Sequence, residues 1–208
     1  MKRSDKITFN GFTLIESMMV VAIFTIMILA TTEFIVQSYR NYHYNLEQME
    51  AINEARRGVE TAIREIRQAK IADDGSYPIE LADDNQLIFY SDIDADGETE
   101  RIRYFLDGNT FKKGIIKPTG SPISYPSDQE QIEIISRYIN NPTSSPIFTY
   151  YNGDWPQDTI NNPLPTTTRL KDTKLIHFHL VININPARAP SNFNLESDVQ
   201  IRNLKTNL

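Results

Sequence analysis

Three groups of residues in this chain have types and spacings that could do chemistry. Asp92, Asp94 and Asp96 alternate ahead of Gly97 in the order D-x-D-x-D-G, with Glu98 and Glu100 behind them. Alternating carboxylates converge on a hard cation when a glycine lets the chain fold back, as in the first half of a calcium loop. The full loop needs a bidentate acid at its twelfth position, which here is Arg103, and the segment lies between two predicted strands rather than two helices. Asp92, Asp94, Asp96 and Glu98 are therefore candidate ligands of an irregular calcium site, which Glu100 could help to complete. The competing reading is a solvated hairpin loop. His177 and His179 alternate along one predicted strand and share a face, as two metal ligands would. No third ligand is near them in sequence, so they read as ordinary strand histidines. The third group is Gly11-Phe12 followed by Glu16, at the threshold of a long apolar run.

Glu16 could be a first-turn acid that complements a helix N-terminus, with Asn10-Gly11 a favoured turn pair before it. The apolar run behind it argues for more. From Met18 to Val36 the only charge is Glu33. About 20 helical residues cover roughly 30 Å, the hydrocarbon core of a bilayer. A buried core helix is seldom apolar all round over that length. A secretory signal would have a shorter apolar region and small residues at a cleavage site, whereas Gln37, Ser38, Tyr39 and Arg40 come next here. The segment is expected to stay in the protein and span the membrane. Lys2, Arg3 and Lys6, opposed only by Asp5, place the N-terminus in the cytoplasm and everything after Tyr39 outside it. A carboxylate at that boundary calls for a partner. Cleavage after Gly11 would supply one, a free amine on Phe12 four residues before Glu16. An amine–carboxylate pair between subunits would fix axial register more than it would add stability. Glu33 reads as an acid near the outer interface that reaches water, or as a second inter-subunit contact.

The basic leader, Gly11, Phe12, Thr13-Leu14-Ile15, Glu16 and the apolar helix together resemble the class III signal of type IV pilins and pseudopilins. The resemblance implies that a prepilin peptidase cuts after Gly11 and methylates the new N-terminal Phe12. It implies that Glu16 pairs with the terminal amine of an adjacent subunit as a filament assembles. Other pilins or pseudopilins and an inner-membrane assembly platform would be partners, and the bacterial inner membrane the first location. An uncleaved anchor with an incidental glutamate is the alternative. Many pilins carry glycine or proline partway along this helix; here neither occurs between Phe12 and Arg57, so a smooth helix is expected.

The elements that must position these residues are set by periodicity. Leu46, Met49, Ile52, Val59, Ile63 and Ile66 recur at spacings of three and four, with Glu47, Glu50, Glu54, Arg57, Glu60, Arg64, Glu65 and Arg67 at the intervening positions. The pattern predicts an amphipathic continuation of the helix to about Ala69, with these charges off its apolar stripe. Asp73-Asp74-Gly75 and Pro78 end it. Beyond residue 75 the period becomes two. Strands are predicted at 86–91, 101–106 and 110–116, then at 147–151, 175–183 and 199–204, with an ambiguous apolar piece at 132–139 and a loop-rich stretch from 118 to 165. The expected fold is α+β: a long N-terminal helix, membrane-spanning in its first half, packed on an antiparallel sheet with long loops. Such a layout resembles the pilin fold. The expected divisions are a leader peptide at 1–11, a membrane and filament-core helix at 12–39, its amphipathic second half at 40–74 and an extracytoplasmic head at 75–208. Glu60–Gln68, the strand at 87–90, the acidic turn and the strand at 199–204 also resemble the J-type minor pseudopilins of type II secretion.

Composition bounds the rest. The 208 residues are 40% hydrophobic and carry a net charge of −6, without cysteine. Disulfides, thiolate metal sites and cysteine catalysis are excluded. No basic run offers phosphate neutralisation, so no nucleic-acid partner is expected. The chain has no Gly-x-Ser-x-Gly and no phosphate loop, and it reads as non-enzymatic, with calcium the only cofactor in view. Tyr150, Tyr151 and Trp155 are candidate partner contacts, unless sheet-edge packing accounts for them. The function expected is a minor pilin or pseudopilin subunit of a machine for pilus biogenesis, type II secretion or DNA uptake. The competing class is a single-span, membrane-anchored binding or adhesion domain that never polymerises.

Overall fold

A computed structural model describes residue 11 and residues 13–188 and 192–204. Its first element is helix α1 (Leu14–Arg67), 54 residues without a break. No proline and no glycine before Gly58 interrupts it, and the run is rich in strong helix formers. Arg64 and Arg67 in the last turn complement the negative end of the helix. The chain divides into two compact units, residues 1–46 and 47–208. In the first, residues 13–43 are all exposed, and the helix is long and apolar enough to cross a membrane.

Among the described residues the second unit holds eight strands in two antiparallel sheets. Strands β1 (Ile79–Ala82), β2 (Gln86–Ser91), β3 (Glu100–Asp107), β4 (Thr110–Ile116) and β5 (Gln131–Ser136) form a five-stranded meander in chain order. Strands β6 (Phe148–Tyr151), β7 (Leu175–Ile182) and β8 (Phe193–Gln200) form a three-stranded sheet in chain order, with the short helix α2 (Arg169–Asp172) preceding β7. Gly108, at φ 59°, makes the tight link from β3 to β4. The α+β layout expected from the sequence holds, with two sheets where one was expected. The predicted three-strand meander gains β1 and β5 at its edges. The ambiguous piece at 132–139 becomes β5, which exposes both faces along most of its length and so shows no clean alternation.

The last strand differs more. The predicted strand at 199–204 is in fact the end of β8 followed by a short 3-10 turn, Arg202–Leu204. β8 is an edge strand, and its outward Asn194, Glu196, Asp198 and Gln200 are exposed, which diluted the apolar signal upstream. Ile201 then leaves the ladder and donates its N–H to the Lys174 carbonyl.

One core fills the second unit. The buried face of α1 runs along Ala51, Ala55, Gly58, Val59, Ala62 and Ile66. The predicted stripe was built on larger residues, of which Leu46 and Met49 are exposed and Ile52 and Ile63 only partly buried. Alanines and a glycine line the closest approach because a Cβ at Gly58 would overlap the Ile135 side chain of β5. Opposite them, Phe89, Tyr104, Phe111, Phe148 and Phe178 form a ladder of rings with centroids 5.0 to 6.2 Å apart. The ladder passes from β2, β3 and β4 to β6 and β7, so it joins the two sheets.

Glu65, placed on the solvent face by the sequence pattern, is buried. Its carboxylate accepts from the Tyr104 hydroxyl at 2.7 Å and from the Lys113 ammonium at 2.7 Å. The end of the helix is tied to the sheet by the Ser91 hydroxyl, which donates to the Glu65 carbonyl, and by Lys70 N–H, which donates to the Tyr90 carbonyl at 2.9 Å.

Gly58→Val is expected to lower the unfolding free energy of the head by about 1–3 kcal/mol through overpacking against Ile135. Lys113→Met is expected to cost about 3–5 kcal/mol, because it strands the Glu65 charge with only a hydroxyl partner. Denaturant unfolding followed at Trp155 measures both.

Candidate functional site

The acidic hairpin links β2 to β3. Asp92, Asp94 and Glu100 each offer a carboxylate oxygen, and the three lie within 4.8 Å of one another. Of the four ligands named from sequence, Asp92 and Asp94 are brought together, while Asp96 and Glu98 lie outside this group. Glu100 takes their place. It is the first residue of β3, paired with Ser91 of β2, which holds its side chain at the base of the loop. Asp94 Oδ1 and Asp96 Oδ1 each accept a backbone N–H two residues on, from Asp96 and Glu98. Ala95 and Gly97 have φ of 60° and 97°, the left-handed conformations that make the turn.

Two lysines reach into the hairpin. Lys117 Nζ lies 2.8 Å from Asp94 Oδ2, 3.3 Å from Asp96 Oδ2 and 3.7 Å from Glu100 Oε1. Lys70 Nζ lies 3.4 Å from Asp92 Oδ2. Glu100 is wholly buried, and its other oxygen accepts the Ile93 N–H at 3.1 Å. Burial pushes the Glu100 carboxyl above its ordinary range, whereas the Lys117 hydrogen bond holds Asp94 below it.

The strand histidines face acids across the ladder. His177 Nδ1 is 2.7 Å from Asp198 Oδ1. His179 Nδ1 is 2.7 Å from the Ser145 hydroxyl, and its Nε2 is 3.9 Å from Glu196. Both acids sit directly opposite on β8, the geometry of cross-strand pairs. Tyr150 is a core residue rather than a partner contact. It is fully buried, its hydroxyl donates to the Asp83 carbonyl at 2.7 Å, and the Arg169 guanidinium lies over its ring. Tyr151 and Trp155 lie against each other with centroids 4.6 Å apart and planes tilted by 36°, and Trp155 stays exposed.

At the other end of the chain, Thr13 precedes the first helical residue and Glu16 is the third. Thr13 N–H and hydroxyl donate to Glu16 Oε2 at 3.3 and 3.4 Å, and Glu16 N–H donates back to Thr13 Oγ1 at 3.3 Å. This is a reciprocal capping box, T-x-x-E, which satisfies two of the helix's orphan donors. The pattern stands in the sequence, but Glu16 taken as a charge seeking a distant partner leaves Thr13 out of account. The hydroxyls of Thr25, Thr31 and Thr32 each donate to the carbonyl four residues back, at 2.8 to 2.9 Å, so none presents an unmet donor to lipid. Gly11 is exposed. Phe12, the predicted methylation site, lies outside the described residues.

Residues 8–32 match the family described as Prokaryotic N-terminal methylation motif. No curated protein matches the chain. The motif carries the class III signal of pilin-like precursors, so the chain has the mark of a prepilin peptidase substrate whose partners include other pilins. With the apolar helix behind it, this N-methylation motif makes the protein membrane-anchored. Gly11, Thr13, Glu16 and the apolar run to Thr32 all fall inside the matched segment; the acidic hairpin and both sheets fall outside it.

Replacing the Thr13 acceptor should loosen the first turn. Thr13→Val is expected to cost this helix end about 1 kcal/mol. The amide of Glu16 should then exchange with solvent roughly fivefold faster, the factor that such a free energy represents. Hydrogen–deuterium exchange in detergent micelles reads it.

Proposed function

We propose that the protein is a minor pilin or pseudopilin. It is made as a precursor in the bacterial inner membrane with its N-terminus in the cytoplasm, cut after Gly11, methylated on Phe12 and assembled into, or used to initiate, a type IV pilus-like filament. The observation that carries this reading is the conjunction of the matched motif with Glu16 in the third helical position, ahead of an uninterrupted exposed apolar helix. Cleavage would place an ammonium on the residue just before the helix cap. Among the described residues of the single chain, the Glu16 carboxylate is held by long bonds from Thr13. An ammonium adds opposite-charge attraction to its hydrogen bond with the carboxylate, which the neutral Thr13 donors lack, and that attraction grows as the dielectric falls. A neighbouring subunit's ammonium would therefore outcompete the Thr13 donors once both charges are out of water. An unpaired charge in the apolar filament core would be strongly unfavourable, which sets the register between subunits.

On this reading residues 1–11 are removed as leader, 12–39 serve first as membrane anchor and then as filament core, 40–74 continue the helix, and 75–208 form an extracytoplasmic head. The head acts by contact with other minor subunits and the inner-membrane assembly platform, not by catalysis. The machine is one of pilus biogenesis, type II secretion or DNA uptake. The resemblance of residues 60–68 and 87–90 to J-type minor pseudopilins supports a role in type II secretion.

Intact mass and N-terminal sequencing of the protein from its own host's membranes test the processing. A chain beginning at Phe12 with one added methyl group is expected; one beginning at Met1 would return the protein to the class of simple anchored binding domains. Glu16→Ala should be cut as wild type yet fall to background in sheared filament fractions. Normal incorporation of that variant would remove the pairing role.

A further inference from the structure

We propose that the β2–β3 hairpin is a calcium site whose protein ligands are Asp92, Asp94 and Glu100, and that Lys117 and the ion compete for the same carboxylates. The proposal concerns the head alone and does not rest on the filament reading. Three carboxylate oxygens already lie within 4.8 Å of one another, close enough for one ion to touch them all. Two buried oxygens, Asp92 Oδ1 and Glu100 Oε1, have no hydrogen-bond partner among the described residues. The Glu100 side chain has no solvent exposure, and Lys117 Nζ, at 3.7 Å, is beyond hydrogen-bond reach of it. A buried carboxylate oxygen without a donor is strongly unfavourable, and a cation between the three acids would remove that penalty.

Charge balance points the same way. The hairpin carries Asp92, Asp94, Asp96, Glu98 and Glu100, against ammonium groups from Lys70 and Lys117. The neighbouring cations are committed elsewhere. Arg101 makes two bonds to Glu80 at 2.6 and 2.7 Å, and Arg103 is paired with Glu130. Lys117 is half-exposed, so its ammonium can turn to water and leave the acids to an incoming ion. An all-oxygen, irregular, part-open ligand set suits calcium, whereas magnesium demands near-octahedral geometry and gives up its water reluctantly. A site that must displace a lysine belongs with the weaker extracellular modules, at roughly 10⁻⁴–10⁻³ M.

The test uses the full chain in detergent, stripped with EDTA and titrated with CaCl₂ or MgCl₂ by calorimetry, with thermal unfolding followed at Trp155. One calcium is expected to bind saturably in that range and raise the melting midpoint, with little response to magnesium. Glu100→Gln should abolish the calcium-dependent shift while keeping an acceptor for the Ile93 N–H. If that variant fails to fold, Asp94→Asn, at an exposed position, carries the same expectation. Lys117→Met should tighten calcium binding by roughly fivefold, the weight of one exposed ion pair. The proposal is overturned if neither the wild type nor Lys117→Met binds calcium below about 10 mM, well above the range of known extracellular sites. It is equally overturned if the carboxylate variants that fold bind calcium as the wild type does.

Discussion

The head depends on how closely α1 can lie against its strands, and that closeness is a matter of missing side-chain volume. Ala51, Ala55, Gly58 and Ala62 bring the helix backbone down onto the core. The space they leave is taken by the aromatic ladder from Phe89 to Phe178. Large rings on the sheets and small residues on the helix are the two halves of one packing solution. A helix built on leucines at those positions would stand farther off and lose the contact with Ile135. The same closeness explains Glu65. A carboxylate on this face cannot reach water, so it must be met by Tyr104 and Lys113, and their positions on β3 and β4 fix the helix in both rotation and translation. Such a buried pair contributes less to net stability than to register.

The N-terminal part of α1 answers to a different solvent. Its residues are exposed on every side, and among the described residues the polar side chains in the apolar run are either bonded back to the helix, as with Thr25, Thr31 and Thr32, or placed at an end, as with Glu16 and Glu33. In lipid that arrangement leaves no threonine hydroxyl unmet. At the start of the helix the capping box uses Glu16 to satisfy donors that would otherwise be orphaned. The residue is thus a local cap, and on the proposed reading the length of its local bonds leaves its charge available to a second molecule.

How much of this was legible in the sequence depended on which residues carried the signal. Strands β2, β3 and β4 were clear because β3 alternates sharply, β2 and β4 are dense in β-branched and aromatic residues, and Asp, Asn and Gly mark their turns. β5 was obscure because it shows both faces to solvent, and β8 because its outward positions are charged or amide side chains. The helix face was misjudged for a physical reason: periodicity weighs large apolar residues, whereas this contact is made by alanines. Glu65 was placed outside because a carboxylate at helical spacing is usually solvated, and only its partners, 39 and 48 residues away in the chain, reveal that it is not. In the acidic hairpin the D-x-D-x-D-G pattern located the loop, and Glu100 stood in the sequence only as an acid that could help complete the site, beside Asp96 and Glu98, which lie outside it. Glu100 is set by strand pairing with Ser91, which no local motif encodes.

The hairpin also stands at the junction where α1 hands over to the sheet. Asp73, six residues past the helix end, accepts the Thr99 N–H and hydroxyl at 2.8 and 2.9 Å. The Tyr125 hydroxyl donates to the Thr99 carbonyl at 2.7 Å and accepts the Asp73 N–H. Lys70, three residues past the helix, meets Asp92 at the hairpin's other end. Any force between helix and head in the second unit passes through this cluster as well as through the core. A loop so rich in acid, tied at both ends to the chain leaving the helix, resists being pulled open only as far as its charges are balanced. Two lysines balance it incompletely, and among the described residues one oxygen of the buried Glu100 is left without a hydrogen-bond donor. The hairpin is therefore one place where the charges beside the helix end and those of the sheet meet.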